Sequence, residues 1–215
     1  MLDALEPLRP RVILAHGLFM GRHAMLSLSR RLRRDGFEVH CFAYNTVTGS
    51  LEAGASKLVA TALRDPRPVA LVGHSLGGLV ALQAAQQLPL GQVASVVLMG
   101  SPYQGALAAR TLRKVTGGVR SPVARALHDW ACLRQRPTVH APVFTLAGTR
   151  SSGLGRLLRG FTEPNDGTVT VAETHYPGAT ACLLPVSHTG MLFNGQAAQQ
   201  VSAWLHPPGS GRPAA

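Results

Sequence analysis

The chain has 215 residues, of which 46% are hydrophobic and only 5% are aromatic. This length suits one domain with a full core, and the low aromatic content favours a parallel sheet covered by helices over an aromatic-rich β-sandwich. The net charge of +11 comes almost entirely from arginine, but no aromatic residues interleave with the densest cluster, at residues 30–34, so we expect no nucleic-acid partner.

The same charge allows two interpretations of the surface. It is compatible with weak association with an anionic membrane surface, or with arginines scattered over solvated faces. The first ten residues contain Asp3 and Glu6 and no apolar core, which predicts no signal peptide. The longest apolar stretch, residues 69–85, is interrupted by polar and glycine residues and is not typical of a membrane span. We therefore expect a cytoplasmic protein.

Short apolar runs bounded by turn residues alternate along the chain with longer helical patterns. The strand candidates are residues 11–15 (RVILA), 37–43 (FEVHCFA), 69–73 (VALVG), 93–100 (VASVVLMG), 143–147 (VFTLA) and 181–186 (ACLLPV). The helix candidates are residues 24–34, 51–63, 76–87 and 196–205. Such alternation implies right-handed crossovers, and it predicts an α/β fold with about six mostly parallel strands and helices on both faces.

Residues 103–142 break this alternation. They contain two short helical patterns, at 106–115 and 123–133, where a compact unit needs only one. The segment is predicted to form a small helical cap or lid over a pocket, with an ordinary helix docked on the sheet as the alternative. We expect residues 1–205 to form a single domain and residues 206–215 (HPPGSGRPAA) to be a disordered tail.

Residues 73–77 (GHSLG) match the pattern G-x-S-x-G. The pattern follows an apolar run and opens a helical one, so Ser75 is expected on a strand-to-helix turn, where a nucleophilic serine is held in a strained backbone. Glycines two residues to either side would prevent collisions with the neighbouring elements. The alternative interpretation is a glycine-rich turn in which the serine only caps the helix.

A serine hydroxyl needs a base to become a good nucleophile, and the position of each histidine in the predicted topology indicates which one serves. His188 follows the last strand and precedes the last helix, which places it at the same carboxyl edge of the sheet as Ser75. His175 precedes that strand and is expected at the opposite edge. The sequence therefore predicts His188 as the base.

The acid that orients this base should lie between the fifth and sixth strands. Glu163, Asp166 and Glu173 are the only carboxylates there. Asp166 lies in the turn sequence PNDGT and is favoured, with Glu163 as the main alternative. Its expected role is to accept the hydrogen bond from the ring of His188, in the chain order Ser, Asp, His.

A tetrahedral intermediate also needs backbone donors for its oxyanion. The amide that follows the nucleophile, that of Leu76, is one candidate. The second is the amide of Leu18, in the loop after the first strand, where Gly17 allows close approach of the backbone. We assign His16, in the same loop, no role in proton transfer.

Five segments together resemble the bacterial lipases and esterases of the α/β-hydrolase superfamily. They are VILAHGL (12–18), GHSLGG (73–78), GSPYQG (100–105), NDGTV (165–169) and SHTGML (187–192). The resemblance implies a triad of Ser75, Asp166 and His188, an oxyanion hole at Leu18 and Leu76, and a lid within residues 103–142. The paired aspartates of the calcium-binding members are not evident, so we expect no metal ion and no cofactor.

The resemblance implies serine-dependent hydrolysis of carboxylic esters through an acyl-enzyme intermediate, with a small-molecule ester or lipid as substrate. The same three residues could instead serve an acyltransferase or a thioesterase. A binding protein of the same fold without catalytic activity is the third alternative, because a fold does not determine a function.

Overall fold

The structure, a computed structural model, describes residues 10–105, 130, 138–151 and 163–206. These residues contain six strands, which are β1 (Arg11–Ala15), β2 (Val39–Phe42), β3 (Val69–His74), β4 (Val93–Met99), β5 (Val143–Gly148) and β6 (Thr180–Leu184). They also contain four α-helices, which are α1 (Leu26–Arg34), α2 (Leu51–Ala62), α3 (Leu76–Gln87) and α4 (Gly195–Leu205). Short 3₁₀ turns lie at Arg22–Met25, Ala172–Thr174 and Gly190–Leu192. The predicted α/β class is confirmed.

The six strands form one sheet in the order β2-β1-β3-β4-β5-β6. Every neighbouring pair is parallel. The chain moves outward in one direction from β1 to β2 and in the other from β3 to β6, so the order reverses between β1 and β3. Loops that leave the carboxyl ends of two such strands diverge and open a crevice, which is where α/β sheets bind ligands.

Helices cover both faces of the sheet, as the continuous apolar strands predict. Successive side chains of a strand point to opposite faces. Ile13 and Ala15 of β1 accordingly pack in a cluster with residues of α2 and α3. Val12 and Leu14 pack in a second cluster with residues of α1 and α4. All five residues of β1 are buried, so the sheet is the middle layer of three.

The second strand begins later than predicted, because the residues that follow α1 form the cap of that helix. Gly36 adopts a positive φ of 87°, a conformation that glycine reaches without a steric penalty. The amide of Phe37 then donates to the carbonyl oxygen of Leu32, at 3.0 Å. The helix itself ends at Arg34, and Phe37 caps its C-terminus and does not begin β2.

The last strand also differs from its prediction. It ends at Leu184, two residues early, because Pro185 has no N–H to donate to the ladder. As the edge strand of the sheet, β6 is mostly exposed or half-buried.

Most of the predicted cap lies outside the described residues, as do residues 207–215 of the predicted tail. Trp130 is described and is 3% exposed. Its indole N–H donates to the carbonyl oxygen of Tyr103 at 2.9 Å, and it packs in the same cluster as α2 and α3. Among the helices that the structure describes, none combines the length and the apolar character needed to cross a bilayer.

Leu79 tests the packing of α3 against the sheet. Its side chain is 0% exposed, so Leu79→Ala should lower the free energy of unfolding by about 2–5 kcal/mol through lost burial and a residual cavity. Urea denaturation measures this change. Leu90, which is 87% exposed, is the matched control, and Leu90→Ala should change the free energy by no more than ~0.5 kcal/mol. Equal effects of the two substitutions would contradict this packing.

Candidate active site

Ser75 lies at the junction of β3 and α3 in a strained backbone conformation. Its φ is 54° and its ψ is −121°, a combination that costs free energy for any residue with a Cβ and that is found mainly at functional sites. Its amide donates to the carbonyl oxygen of Met99 at 2.8 Å. Its side chain forms no capping hydrogen bond with α3, which argues against the alternative in which the serine only caps the helix.

The two glycines of the G-x-S-x-G pattern make this turn sterically possible. A Cβ on Gly73 would collide with the backbone of Gly77 and Gly78. A Cβ on Gly77 would collide with the carbonyl groups of Ala15 and His16, at the end of β1. The turn after β3 is therefore pressed against the loop after β1, on the crevice side of the sheet.

His188 and Asp166 are brought together by the loops that follow β6 and precede it. The Nδ1 atom of His188 lies 2.6 Å from Oδ2 of Asp166, and the amide of His188 donates to the carbonyl oxygen of Asp166 at 2.9 Å. A carboxylate accepts hydrogen bonds, so Nδ1 carries the proton and Nε2 of the neutral ring is left as an acceptor. This is the tautomer that a general base requires.

The carboxylate of Asp166 is itself fixed in place. It is 1% exposed, and its Oδ1 atom accepts hydrogen bonds from the amides of Thr168, at 2.9 Å, and Val169, at 2.8 Å. Amide donors stabilise a buried negative charge. One oxygen is thus bound by the backbone of its own turn, and the other is directed to His188.

The other predicted candidates lie elsewhere. Glu163, the alternative acid, is exposed. Glu173 is buried and accepts from the amide and hydroxyl of Thr170, at 3.1 and 3.2 Å. His175 is exposed. Of the three carboxylates in the predicted window, Asp166 is the one that the structure pairs with His188.

Two glycines beside this pair were not singled out from the sequence. Gly100 follows β4 with a φ of 57°, and a Cβ there would lie 3.1 Å from both Oδ2 of Asp166 and Nδ1 of His188. Gly148 ends β5, where a Cβ would lie 2.8 Å from Cβ of Asp166. Each glycine falls at the carboxyl end of an apolar run, which is the signal that could have indicated it.

Of the predicted oxyanion donors, Leu76 directly follows the serine, and Leu18 lies in the loop after β1. Leu18 lies in a turn that the amide of Met20 closes by donating to Gly17, at 3.3 Å, and Leu76 is the first residue of α3. Within the described ranges, neither leucine amide donates to another group. A Cβ on Gly17 would lie 3.2 Å from Cβ of Ser75, so the turn is in contact with the nucleophile candidate.

His16 and Tyr44 support this loop. His16 is 1% exposed, and burial lowers the pKa of its ring, which favours the neutral form. The hydroxyl of Tyr44 donates to the carbonyl oxygen of His16 at 2.6 Å, and the two rings lie 4.6 Å apart. These contacts hold the carbonyl against which Gly77 packs.

The structure does not join Ser75 to His188 directly. The hydroxyl of Ser75 forms no hydrogen bond with any residue that the structure describes. The segments that carry the two residues are nevertheless in contact, because the ring centroid of His74, adjacent to Ser75, lies 4.7 Å from that of His188. Across the described residues, no three His, Cys, Asp or Glu side chains converge to hold a metal ion.

Comparison with known proteins gives a consistent classification. A family model described as the alpha/beta hydrolase family matches residues 12–211. A search of curated proteins finds no match to the chain.

Several solved structures have the same fold. A lipase from Bacillus licheniformis, solved in its propeptide form, has a TM-score of 0.79 and 19% identity, over 98% of this chain and 53% of that one. The chain thus spans about half the length of that lipase. A monoacylglycerol lipase from Paleococcus ferrophilus has a TM-score of 0.64 and 17% identity, over 93% of this chain and 95% of that one. An esterase from Pyrococcus furiosus has a TM-score of 0.62 and 18% identity, with coverages of 92% and 81%.

Gly77 tests the contact between the two loops of the crevice. In Gly77→Ala the new methyl group would collide with the carbonyl groups of Ala15 and His16. The free energy of unfolding should therefore fall by about 1–3 kcal/mol. Chemical denaturation measures the change. The control is Gly21→Ala, because a Cβ at Gly21 has nothing within 4 Å. A Gly77→Ala protein as stable as Gly21→Ala would show that the loops are not in contact.

Proposed function

The chain belongs to the α/β-hydrolase family, and on that premise we propose that it hydrolyses carboxylic esters through an acyl-enzyme intermediate on Ser75. The observation that carries the proposal is the buried hydrogen bond of 2.6 Å between Nδ1 of His188 and Oδ2 of Asp166. It is formed beside a serine whose backbone is strained and whose hydroxyl is not used to cap α3. A structural serine would need neither feature.

In the first step of this mechanism, Oγ of Ser75 attacks the carbonyl carbon of the ester while Nε2 of His188 takes the hydroxyl proton. The ring becomes positively charged, and the carboxylate of Asp166 stabilises that charge across the bond to Nδ1. The amides of Leu18 and Leu76 donate to the oxygen that becomes negative, at the start of α3, where the helix dipole also favours an anion.

The intermediate collapses when the bond to the leaving alkoxide breaks. His188 returns its proton to that oxygen, and the alcohol departs. A water molecule then attacks the acyl carbon while His188 takes one of its protons. His188 gives that proton to Oγ of Ser75 as the bond between Oγ and the acyl carbon breaks, and the acid leaves. Proton and charge balance in each step without any group beyond these residues and water.

An apolar ester is the substrate class that the surroundings favour. Phe19 is 62% exposed, Val47 is 47% exposed and Phe193 is 56% exposed. These residues follow β1, β2 and β6, so they belong to the carboxyl edge of the sheet, where the crevice opens. The lipase and esterase names of the structural neighbours support the same class.

Ser75→Ala should abolish covalent labelling by a fluorophosphonate probe. It should also reduce turnover of a p-nitrophenyl ester on the order of 10⁴-fold, because the nucleophile is lost. Probe labelling and initial rates measure the two effects. Ser56→Ala, at an exposed position on α2, should leave both unchanged. An unlabelled wild-type protein would favour a non-catalytic binding protein instead.

Asp166→Asn should lower kcat on the order of 10³- to 10⁴-fold, because an amide can donate to Nδ1 and so favour the wrong tautomer of His188. Steady-state kinetics on the same ester measures the loss. Glu163→Gln replaces an exposed carboxylate of the same segment and should retain wild-type kcat. The reverse result, with Glu163→Gln inactive and Asp166→Asn active, would reassign the acid.

A further inference from the structure

His74 is a buried polar residue that the mechanism above does not use. It ends β3, one residue before Ser75, and it is 0% exposed. Its Nε2 atom lies 2.9 Å from the carbonyl oxygen of His188, across 114 residues of sequence. The question is whether this hydrogen bond has a role in the geometry of the site.

The hydrogen bonds of His188 show why this contact matters. Two of its four polar groups are bound to Asp166, namely the ring Nδ1 and the backbone amide. Those two bonds fix the base relative to the acid but not relative to the nucleophile. The third group, Nε2, is left to take the serine proton. The fourth, the backbone carbonyl, is bound by His74, and His74 is covalently joined to Ser75.

The direction of this bond follows from the chemistry of the two groups. A carbonyl oxygen can only accept, so Nε2 of His74 must carry the proton and donate. Burial, with a smaller contribution from the nearby ring of His188, lowers the pKa of His74 to about 3, so the ring is neutral at ordinary pH. His74 can therefore hold the loop of His188 without placing a second positive charge beside the imidazolium that catalysis forms.

We propose that His74 is a positioning residue, which binds the carbonyl of His188 and thereby holds the imidazole of His188 within reach of the Ser75 hydroxyl. The proposal rests on the ester-hydrolase function proposed above. Since the hydroxyl forms no hydrogen bond with His188 in the structure's described part, the approach of the two groups depends on what links their loops. A displacement of about 1 Å in such a pair can cost on the order of 10²-fold in rate.

The test compares His74→Phe with His74→Gln. Phenylalanine preserves the ring and its packing but has no N–H, whereas glutamine can place an amide donor near the position of Nε2. We expect His74→Phe to lower kcat about 10- to 100-fold with KM within about twofold of wild type, because binding is kept and orientation is lost. His74→Gln should recover most of the lost kcat.

The matched control is His206→Phe. His206 also bonds through its ring to a backbone carbonyl, that of Ser202 at 2.7 Å, but it follows α4 at the end of the described chain. This substitution should leave kcat and KM unchanged. Thermal unfolding of all variants accompanies the kinetics.

Titration with a fluorophosphonate separates positioning from loss of structure. Positioning predicts that His74→Phe is labelled to completion but more slowly. If instead fewer molecules are labelled and each labelled site retains wild-type turnover, or if glutamine gives no recovery, the proposal is overturned. Failure of the function itself has a different signature, namely a wild-type protein with no more esterase activity than Ser75→Ala.

Discussion

The backbone of Ser75 is the constraint on which the rest of the site depends. A φ of 54° at a residue with a Cβ is strained, and it persists only where the surrounding structure excludes other backbone conformations. Here β3 ends between β1 and β4 at the carboxyl edge of the sheet, and α3 begins directly after Ser75. The glycines at 73 and 77 let the turn lie against the end of β1. The result is a hydroxyl at the carboxyl edge, between the first turn of α3 and the loop after β1.

The remaining groups reach this edge because the sheet is parallel. Strands β1, β3, β4, β5 and β6 all end there, and each contributes a different element. The loop after β1 contacts Ser75 through Gly17, and Gly100 after β4 leaves space for Asp166 and His188. Gly148 at the end of β5 lies beside Asp166, and the loop after β6 carries His188. Asp166, His188 and His74 are buried. Water would therefore screen charges that form there only weakly, and the electrostatic interactions between neighbouring groups would be strong.

Hydrogen bonds fix the orientation of Asp166 and His188 at that edge. Oδ1 of Asp166 is bound by its own turn and Oδ2 by His188, so the carboxylate has no freedom to rotate away. His188 in turn is bound on one side by the acid and on the other by His74. The fold is shared with lipases and esterases at less than 20% identity. A fold does not determine a substrate, so substrate choice depends on the loops around Asp166, His188 and Ser75.

The sequence alone determined the order of strands and helices, because each is encoded by a local pattern of apolar, glycine and polar residues. It also indicated Ser75, Asp166 and His188, since topology assigns each loop to an edge of the sheet. Local patterns did not show that β6 would be an edge strand, because neighbours in space decide which strands lie at the edges of a sheet. The bond from His74 to His188 joins residues 114 apart and requires β3 to β6 to be aligned. The closeness of Gly100 to Asp166 and His188 likewise requires β4, β5 and β6 to be aligned. Such contacts depend on distances between loops that no stretch of sequence specifies, so only the tertiary structure decided them.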